Sequence, residues 1–316
     1  MKKSETKKKK RRVVVDNAVF CTVMLALPLL QFCLFYIGVN FNSLLMAFQD
    51  IRLEGAKETV SWTFANFRFD RMFMGLQVGQ VLHMGGMSLL TWAINLVINL
   101  PLGLLFSFYI SKKLPLSKAF RVILYLPSIL SAVVMATIYM QMVDNVVPAF
   151  IYDVLKIDPK LNLWDGLTNL KETRYVVVLF FNIFMGFGVS VLMYSNSMSG
   201  IDPAMIEAAH LDGATGIKEF WYITLPQVYS TLTVFLYTGV ATIFTNQINL
   251  YVFYRGAAPT EIQTLGYYLF NKTQAAQGVA TDYPPLAAIG IILTFIAIPL
   301  TMGVKKLLEK LGPKEV

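Results

Sequence analysis

Charge is scarce in this chain, and histidine and cysteine are nearly missing. Charged residues make up 15% of the 316 residues, against 56% hydrophobic. Soluble domains carry roughly 25% charged residues, so a water-soluble globular class is excluded. The only histidines, His83 and His210, lie far apart in the chain, too few for a metal cluster or a base-activated nucleophile. Cys21 and Cys33 are the only cysteines. On a helix of 3.6 residues per turn they point about 120° apart, so they cannot pair, and they say nothing about redox compartment. No G-x-x-x-x-G-K-[ST] is present to cradle a nucleotide phosphate, and neither H-E-x-x-H nor G-x-S-x-G occurs. Enzyme classes built on those motifs are excluded.

Long apolar runs are what the chain has in place of charge. Spanning hydrocarbon takes about 20 apolar residues, and six runs qualify: 18–39, 88–111, 120–142, 175–197, 228–254 and 286–304. The last three contain no Asp, Glu, Lys or Arg, and the first three have none near their centres; Asp144 falls just past the end of the third. An ion- or proton-driven carrier normally carries a charged group inside its spans. The driving force is therefore expected to enter from another polypeptide. The start, MKKSETKKKKRR, has the basic character of a signal peptide or a nuclear targeting run. The apolar run that follows is too long for a signal h-region and lacks a small-x-small cleavage site, so a retained anchor is expected.

Of the 27 Lys and Arg, 17 fall in the amino-terminal tail, 112–121, 198–226 and 305–316. The three longer alternate segments hold the other 10, offset by acids such as Asp50, Glu54, Glu58, Asp70, Asp153, Asp158 and Asp165. This bias predicts both termini and the 198–226 loop on the cytoplasmic side of a bacterial cytoplasmic membrane. The expected organisation is a basic tail (1–17), one transmembrane domain (18–304) and a second cytoplasmic tail (305–316). Among the outer segments, WTFANFRFDRMF, with Trp62, Phe64, Phe67 and Phe69, reads as an interfacial or docked helix. Residues 143–174 read as a short helix plus turns, and 255–285 as a turn followed by a mildly amphipathic segment.

The fourth and fifth runs carry neutral hydrogen-bonding and aromatic groups. Asn182, Ser190, Tyr194, Tyr237, Phe244, Asn246, Gln247, Asn249 and Tyr251 are the candidates for a substrate path. Uncharged amides and ring faces suit a hydroxyl-rich neutral solute. The same residue types also simply join helices within membranes. Both readings stand at this point.

Between these runs lies SGIDPAMIEAAHLDGATGIKEFWYITLP. Asp202 is a natural N-cap and Pro203 suits the first turn of a helix. Ala204 to Leu211 continue it, and Asp212-Gly213 supplies a stop with Gly free to take positive φ. Thr215 is expected to cap a second short helix, GIKEFWYI, before Leu225-Pro226 opens the next run. The product is a stiff knuckle in which Ala208, Ala209 and Ala214 leave room for a partner's backbone.

Glu207-Ala208-Ala209, Asp212-Gly213-Ala214, Phe220, Ile223, Leu225 and Pro226 together resemble the EAA loop of permease subunits of bacterial binding-protein-dependent ABC importers. LPLLQFCLFYIGVNFNSLLMAFQD, ANFRFD and YVFYRGAAPTEIQTLGYYLF resemble segments of the carbohydrate branch of that family, the maltose-type and glycerol-phosphate-type permeases. Departures occur at Asn249 and at Arg255-Gly256-Ala257-Ala258-Pro259, where the branch often has an acid and a Thr-x-Gly-Gly-Pro turn. Arg255 either favours an acidic sugar or anchors the chain at the interface.

The resemblance implies an all-α type I importer permease of six transmembrane helices with a cytoplasmic coupling helix. It implies that Glu207, Ala208, Ala209, Asp212, Gly213, Ala214, Phe220, Leu225 and Pro226 couple the chain to a cytosolic ATPase dimer. Further implied partners are a second permease subunit and an extracytoplasmic solute-binding protein that delivers a sugar or oligosaccharide. ATP and Mg would be bound by the ATPase subunits, and this chain would hold no cofactor. Permeases for glycerol phosphate, amino acids or polyamines are the nearest alternatives, and a secondary carrier is a more distant one.

Overall fold

The computed structural model describes residues 19–54, 57–156, 162–277 and 279–313. The basic tail and the carboxy-terminal 314–316 fall outside these, as does Asp158. The described chain is mostly helical. Two compact units divide it, one of Met1–Gly75 with Gly278–Ile291 and the other of Leu76–Gln277 with Ile292–Val316.

In the first unit, helix α1 runs Val19–Met46, long and apolar enough to cross a membrane. Its expected end at 39 came too early, because Asn40, Asn42 and Ser43 do not break it. Ser43 Oγ and Asn40 Nδ2 donate back to the carbonyls of Val39 and Tyr36, so these polar side chains are satisfied along the helix itself. Strands β1 (Gln49–Glu54) and β2 (Lys57–Trp62) then pair antiparallel, with Ile51 opposite Val60. This hairpin is added to an otherwise helical fold, and it takes only Trp62 of WTFANFRFDRMF, the segment expected as an interfacial or docked helix. KETVSW alternates apolar Val60 and Trp62 with polar Thr59 and Ser61 and holds two β-branched residues, which favours a strand. Only short turns of helix follow, at Ala65–Phe67 and Phe69–Met72. Asn66, nearly fully buried, ties this corner by donating to Ala47 O and Gln49 O at 3.1 and 2.7 Å.

The second unit begins with α2 (Val78–Ser111), followed by α3 (Ser117–Ile129), α4 (Ala132–Val154) and α5 (Arg174–Ser199). The run expected at 120–142 is thus two helices. Pro127 and the extended Leu130 and Ser131 end α3, and α4 starts afresh at Ala132. As α4 continues to Val154, Asp144 lies within it rather than beyond its end. It is half-buried, and its carboxylate accepts from Thr168 N at 2.9 Å and Thr168 Oγ1 at 2.6 Å. A carboxylate with two donors in place does not need water.

Past α5 come α6 (Pro203–Leu211), a continuous helical stretch α7 over 217–227, and α8 (Tyr229–Ala241). The expected span 228–254 is broken. After Ala241 the chain turns through 242–249, with Ile248 and Asn249 at positive φ, before the short α9 (Leu250–Tyr254). The break is anchored by α10 (Leu265–Ala275). Thr264 Oγ1 donates to Asn246 O at 3.0 Å, and a Cβ on Gly266 would meet Thr245 backbone atoms at 2.5 Å. Tyr267 Oη donates to Arg255 O and accepts from Ala258 N; burial holds its pKa above the usual phenol range, so the hydroxyl keeps its proton. Helix α11 (Tyr283–Leu311) closes the chain. Five of the six expected runs therefore overlap continuous helices long and apolar enough to cross a membrane.

Proline leaves a common mark on these helices. Wide π turns occur at Asn95–Asn99, Met142–Val146 and Phe220–Thr224, each two residues short of a proline, Pro101, Pro148 or Pro226. In each case the residue just before the proline donates five residues back: Leu100 to Asn95, Val147 to Met142, Leu225 to Phe220. Proline lacks an N–H and crowds the carbonyl four residues earlier, and a widened turn relieves both problems.

Helices α3 and α5 meet closely at Gly188, where a Cβ would lie 1.9 Å from the Leu124 carbonyl oxygen. Gly188→Val is expected to destabilise the folded chain by about 1–3 kcal/mol through forced separation of the two helices. Gly186→Val, where a Cβ meets nothing within 4 Å, is expected to leave stability unchanged. Thermal unfolding of the two variants in detergent checks the contrast.

Candidate functional site

Helix α6 starts and stops by backbone rules visible in its own residues. Asp202 Oδ1 accepts from Ala204 N at 2.9 Å, with Pro203 at the first helical position. At the other end Gly213, at φ 80°, donates to His210 O, and Ala214 N donates to Ala209 O at 2.9 Å. These paired bonds form the left-handed helix stop in which glycine takes the positive φ. Asp212-Gly213-Ala214 therefore does a single job, turning the chain back across the end of α6. The second helix departs from expectation at its start. Gly216, at φ 58° and ψ −119°, is its cap, and no side-chain bond from Thr215 is made. That backbone conformation is open to glycine and strained for other residues.

The knuckle has a buried root and an open face. Phe220 is buried with Leu104, Tyr194, Met198, Val228 and Leu232, which come from α2, α5, α8 and the join before it. Ala209 is buried, Ala214, Leu225 and Pro226 are half-buried, and Glu207, Ala208, Asp212 and Gly213 are exposed. Leu211 is 90% exposed, and Met205 and Ile217 are exposed as well. Of the nine residues singled out in this loop, the open ones thus lie in a stretch that also exposes apolar side chains.

An ion cluster beneath that surface escaped the sequence reading. Glu219 is 2% exposed, and its carboxylate meets Lys112 Nζ on one oxygen and His210 Nε2 at 3.0 Å on the other. Lys112 also lies over the Phe108 ring, 5.6 Å from its centroid, and Phe108 packs edge-on against Phe220 at 5.2 Å. The available signal was a glutamate directly preceding Phe220 in a stretch whose other root positions are apolar.

The intramembrane candidates do not form one set. Ser190 and Tyr194 line a cleft of about 130 Å³ together with Trp92, Asn95, Asn99, Phe235 and Gly239. Trp92, Asn95 and Asn99 were missed, although spacings of three and four place them on one helix face. Asn99 Oδ1 is buried without a hydrogen-bond partner among the described residues. Asn182 and Asn249 find each other instead, at 3.2 Å, outside the cleft lining. Tyr237 lies under Lys305, 5.8 Å from its ring centroid, and Tyr251 packs edge-on to Phe270 at 5.0 Å. Phe244, Asn246 and Gln247 sit in the break after α8. There Asn246 Oδ1 accepts from Ile248 N at 2.8 Å, and Gln247 Oε1 is buried without a partner among the described residues.

The family model described as "Binding-protein-dependent transport system inner membrane component" matches residues 99–311, which include the knuckle, its root and the break. The chain belongs to this family. It is a multi-pass inner-membrane transport component. Among curated proteins it is similar to the multiple sugar-binding transport system permease protein MsmF of Streptococcus mutans, 21% identical over 75% of this chain and 80% of that one. It is similar also to the polygalacturonan/rhamnogalacturonan transport system permease protein YteP of Bacillus subtilis, 23% identical over 72% of this chain and 70% of that one. A solved bacterial alginate ABC transporter, in complex with alginate pentasaccharide-bound periplasmic protein, contains a chain with the same fold. The match has a TM-score of 0.72 at 20% identity and covers 96% of this chain and 98% of that one.

Gly213→Val would force a β-branched residue into positive φ at a strain on the order of 1–3 kcal/mol. The helix stop is expected to open, and the Ala214 amide to exchange with solvent at least tenfold faster, as read by hydrogen–deuterium exchange.

Proposed function

We propose that this chain is the membrane-spanning subunit of an ATP-driven importer that carries a sugar or oligosaccharide. In this reading an extracytoplasmic solute-binding protein delivers the solute. A second permease subunit completes the path, and a cytosolic ATPase dimer supplies the work. Both termini and the 198–226 loop face the cytoplasm, as the Lys/Arg bias requires. The permease domain extends over 18–304. The observation that carries the reading is α6 itself: a capped, backbone-locked helix with Glu207, Ala208 and Leu211 presented outward on a buried root. A helix of this kind fits a partner's groove through its small and aliphatic residues, with Glu207 as the polar contact at the edge. Gly213 sets the bend, and Phe220, Leu225 and Pro226 join the knuckle to α8.

Binding of ATP would close the ATPase dimer and move α6, turning the cavity between the two permeases outward, and hydrolysis would reset it. The relatives named for sugar transport support a carbohydrate as cargo. The lining of the cleft around Trp92 favours a neutral one. It consists of amide, hydroxyl, aromatic and aliphatic groups without a charged side chain, a set that can bond hydroxyls and stack on sugar C–H faces. Ser190, Tyr194, Asn95 and Asn99 are the residues assigned to that contact, and Gln247 and Asn246 to the path beside the break.

The test is reconstitution in vesicles with and without the companion subunits. ATP-dependent accumulation of neutral oligosaccharide is expected only for the complete assembly, and accumulation by this chain alone removes the reading. Glu207→Lys is expected to lower uptake at least tenfold while the binding protein retains its affinity for sugar. Asn95→Leu is expected to lower sugar-stimulated ATPase activity several-fold. Unchanged stimulation would take Asn95 off the path.

A further inference from the structure

The Lys112–Glu219–His210 cluster joins three pieces of chain that are far apart in sequence. His210 sits on the last turn of α6, Glu219 near the start of α7, and Lys112 at the end of α2. Covalently, α6 is continuous with α5 on one side and with α7 on the other. It has no direct covalent join to α2. Glu219 supplies a non-covalent one, because a single buried carboxylate meets His210 of α6 and Lys112 at the end of α2. Phe108 holds the Lys112 stem in place and presses on Phe220, the residue next to Glu219.

Helix α2 also carries Trp92, Asn95 and Asn99, one wall of the cleft. At 1.5 Å per residue, Asn99 lies about 20 Å along the helix from Lys112. A helix transmits displacement along its axis, so motion of α6 delivered at Lys112 reaches that wall. Stability alone does not require such a cluster, since apolar residues of similar size can replace a buried ion pair without loss.

We propose that Glu219 is a positioning residue that transmits movement of the coupling helix to α2 through Lys112. This rests on the importer reading above, and it adds a second route to the one through the α5 and α8 connections. The two connections differ in kind. The covalent joins move α5 and α8 whatever the side chains are, whereas α2 is reached by packing of Leu104 and Phe108 on Phe220, by the Ser107 bond to Val191 O and by the ion cluster, of which only the cluster grips α6 itself.

The experiment uses the complete transporter in lipid, with Cys21 and Cys33 replaced by serine and spin labels at Leu105 on α2 and Val134 on α4, a helix with no direct join to α6. Both positions are exposed. The probe is MgATP with vanadate, so no particular sugar is needed. In the otherwise unchanged protein, trapping is expected to shift the label-to-label distance. No shift there with nucleotide trapped overturns the proposal, whereas a complete assembly that traps no nucleotide overturns the importer reading itself. In the doubly apolar variant, Lys112→Met with Glu219→Leu, assembly and trapping are expected to persist while the shift falls by half or more. A full shift in that variant overturns the proposal and leaves the importer reading standing. Should the apolar pair fail to assemble, the exchanged pair, Lys112→Glu with Glu219→Lys, decides instead. Recovery of at least half the shift supports the brace, and its loss overturns it. A merely structural role would lower stability without changing the distance shift in the assembled complex.

Discussion

The backbone's need to satisfy its own hydrogen bonds shapes this chain more than any side-chain contact. Hydrocarbon offers no replacement partner for an unpaired N–H or C=O, so spanning segments must be helical wherever lipid touches them. Each irregularity in the structure shows a local remedy. The π turns ahead of Pro101, Pro148 and Pro226 recover a bond five residues back. The break at 242–249 is bonded internally and to Thr264. Asp144, the carboxylate within α4, takes two donors from Thr168. The same need explains why the knuckle is stiff: α6 is closed at both ends by bonds its own residues make.

Much of this was legible in the sequence, for reasons that can be named residue by residue. Asp202-Pro203 and Gly213 work through local backbone geometry, so reading them required no knowledge of neighbours. The apolar runs around 88–111, 175–197 and 286–304 declare themselves by length. Their boundaries were less clear. α2 begins ten residues before its expected start, since polar Gln80 and His83 lie in a helix that hydropathy alone does not reward. The split of 120–142 into α3 and α4 depends on Leu130 and Ser131 becoming extended after Pro127, and an apolar window averages over such a step. The hairpin carries little apolar signal, since QDIRLE and KETVSW are mostly polar or charged.

The site followed the same division. The knuckle's residues all lie within 202–226 and carry their signal locally. The cleft is assembled from α2, α5 and α8, and only packing reveals that Asn95 and Asn99 share it with Ser190 and Tyr194. Asn182 and Asn249, both polar in apolar surroundings, proved to satisfy each other. Glu219 shows the limit most plainly. A charge in an amphipathic stretch ordinarily faces solvent, and nothing local announces that Lys112, over a hundred residues earlier, will meet it.

The bend after α6 is set by Gly213 and Gly216 through their own torsion angles, independent of what the neighbouring side chains are. Geometry and recognition are therefore held by different residues in this knuckle. Under the importer reading proposed above, Glu207, Ala208, Met205 and Leu211 can be exchanged without altering where the ridge sits, so a common shape could be retuned to a different motor subunit, or kept generic so that one motor serves several transporters.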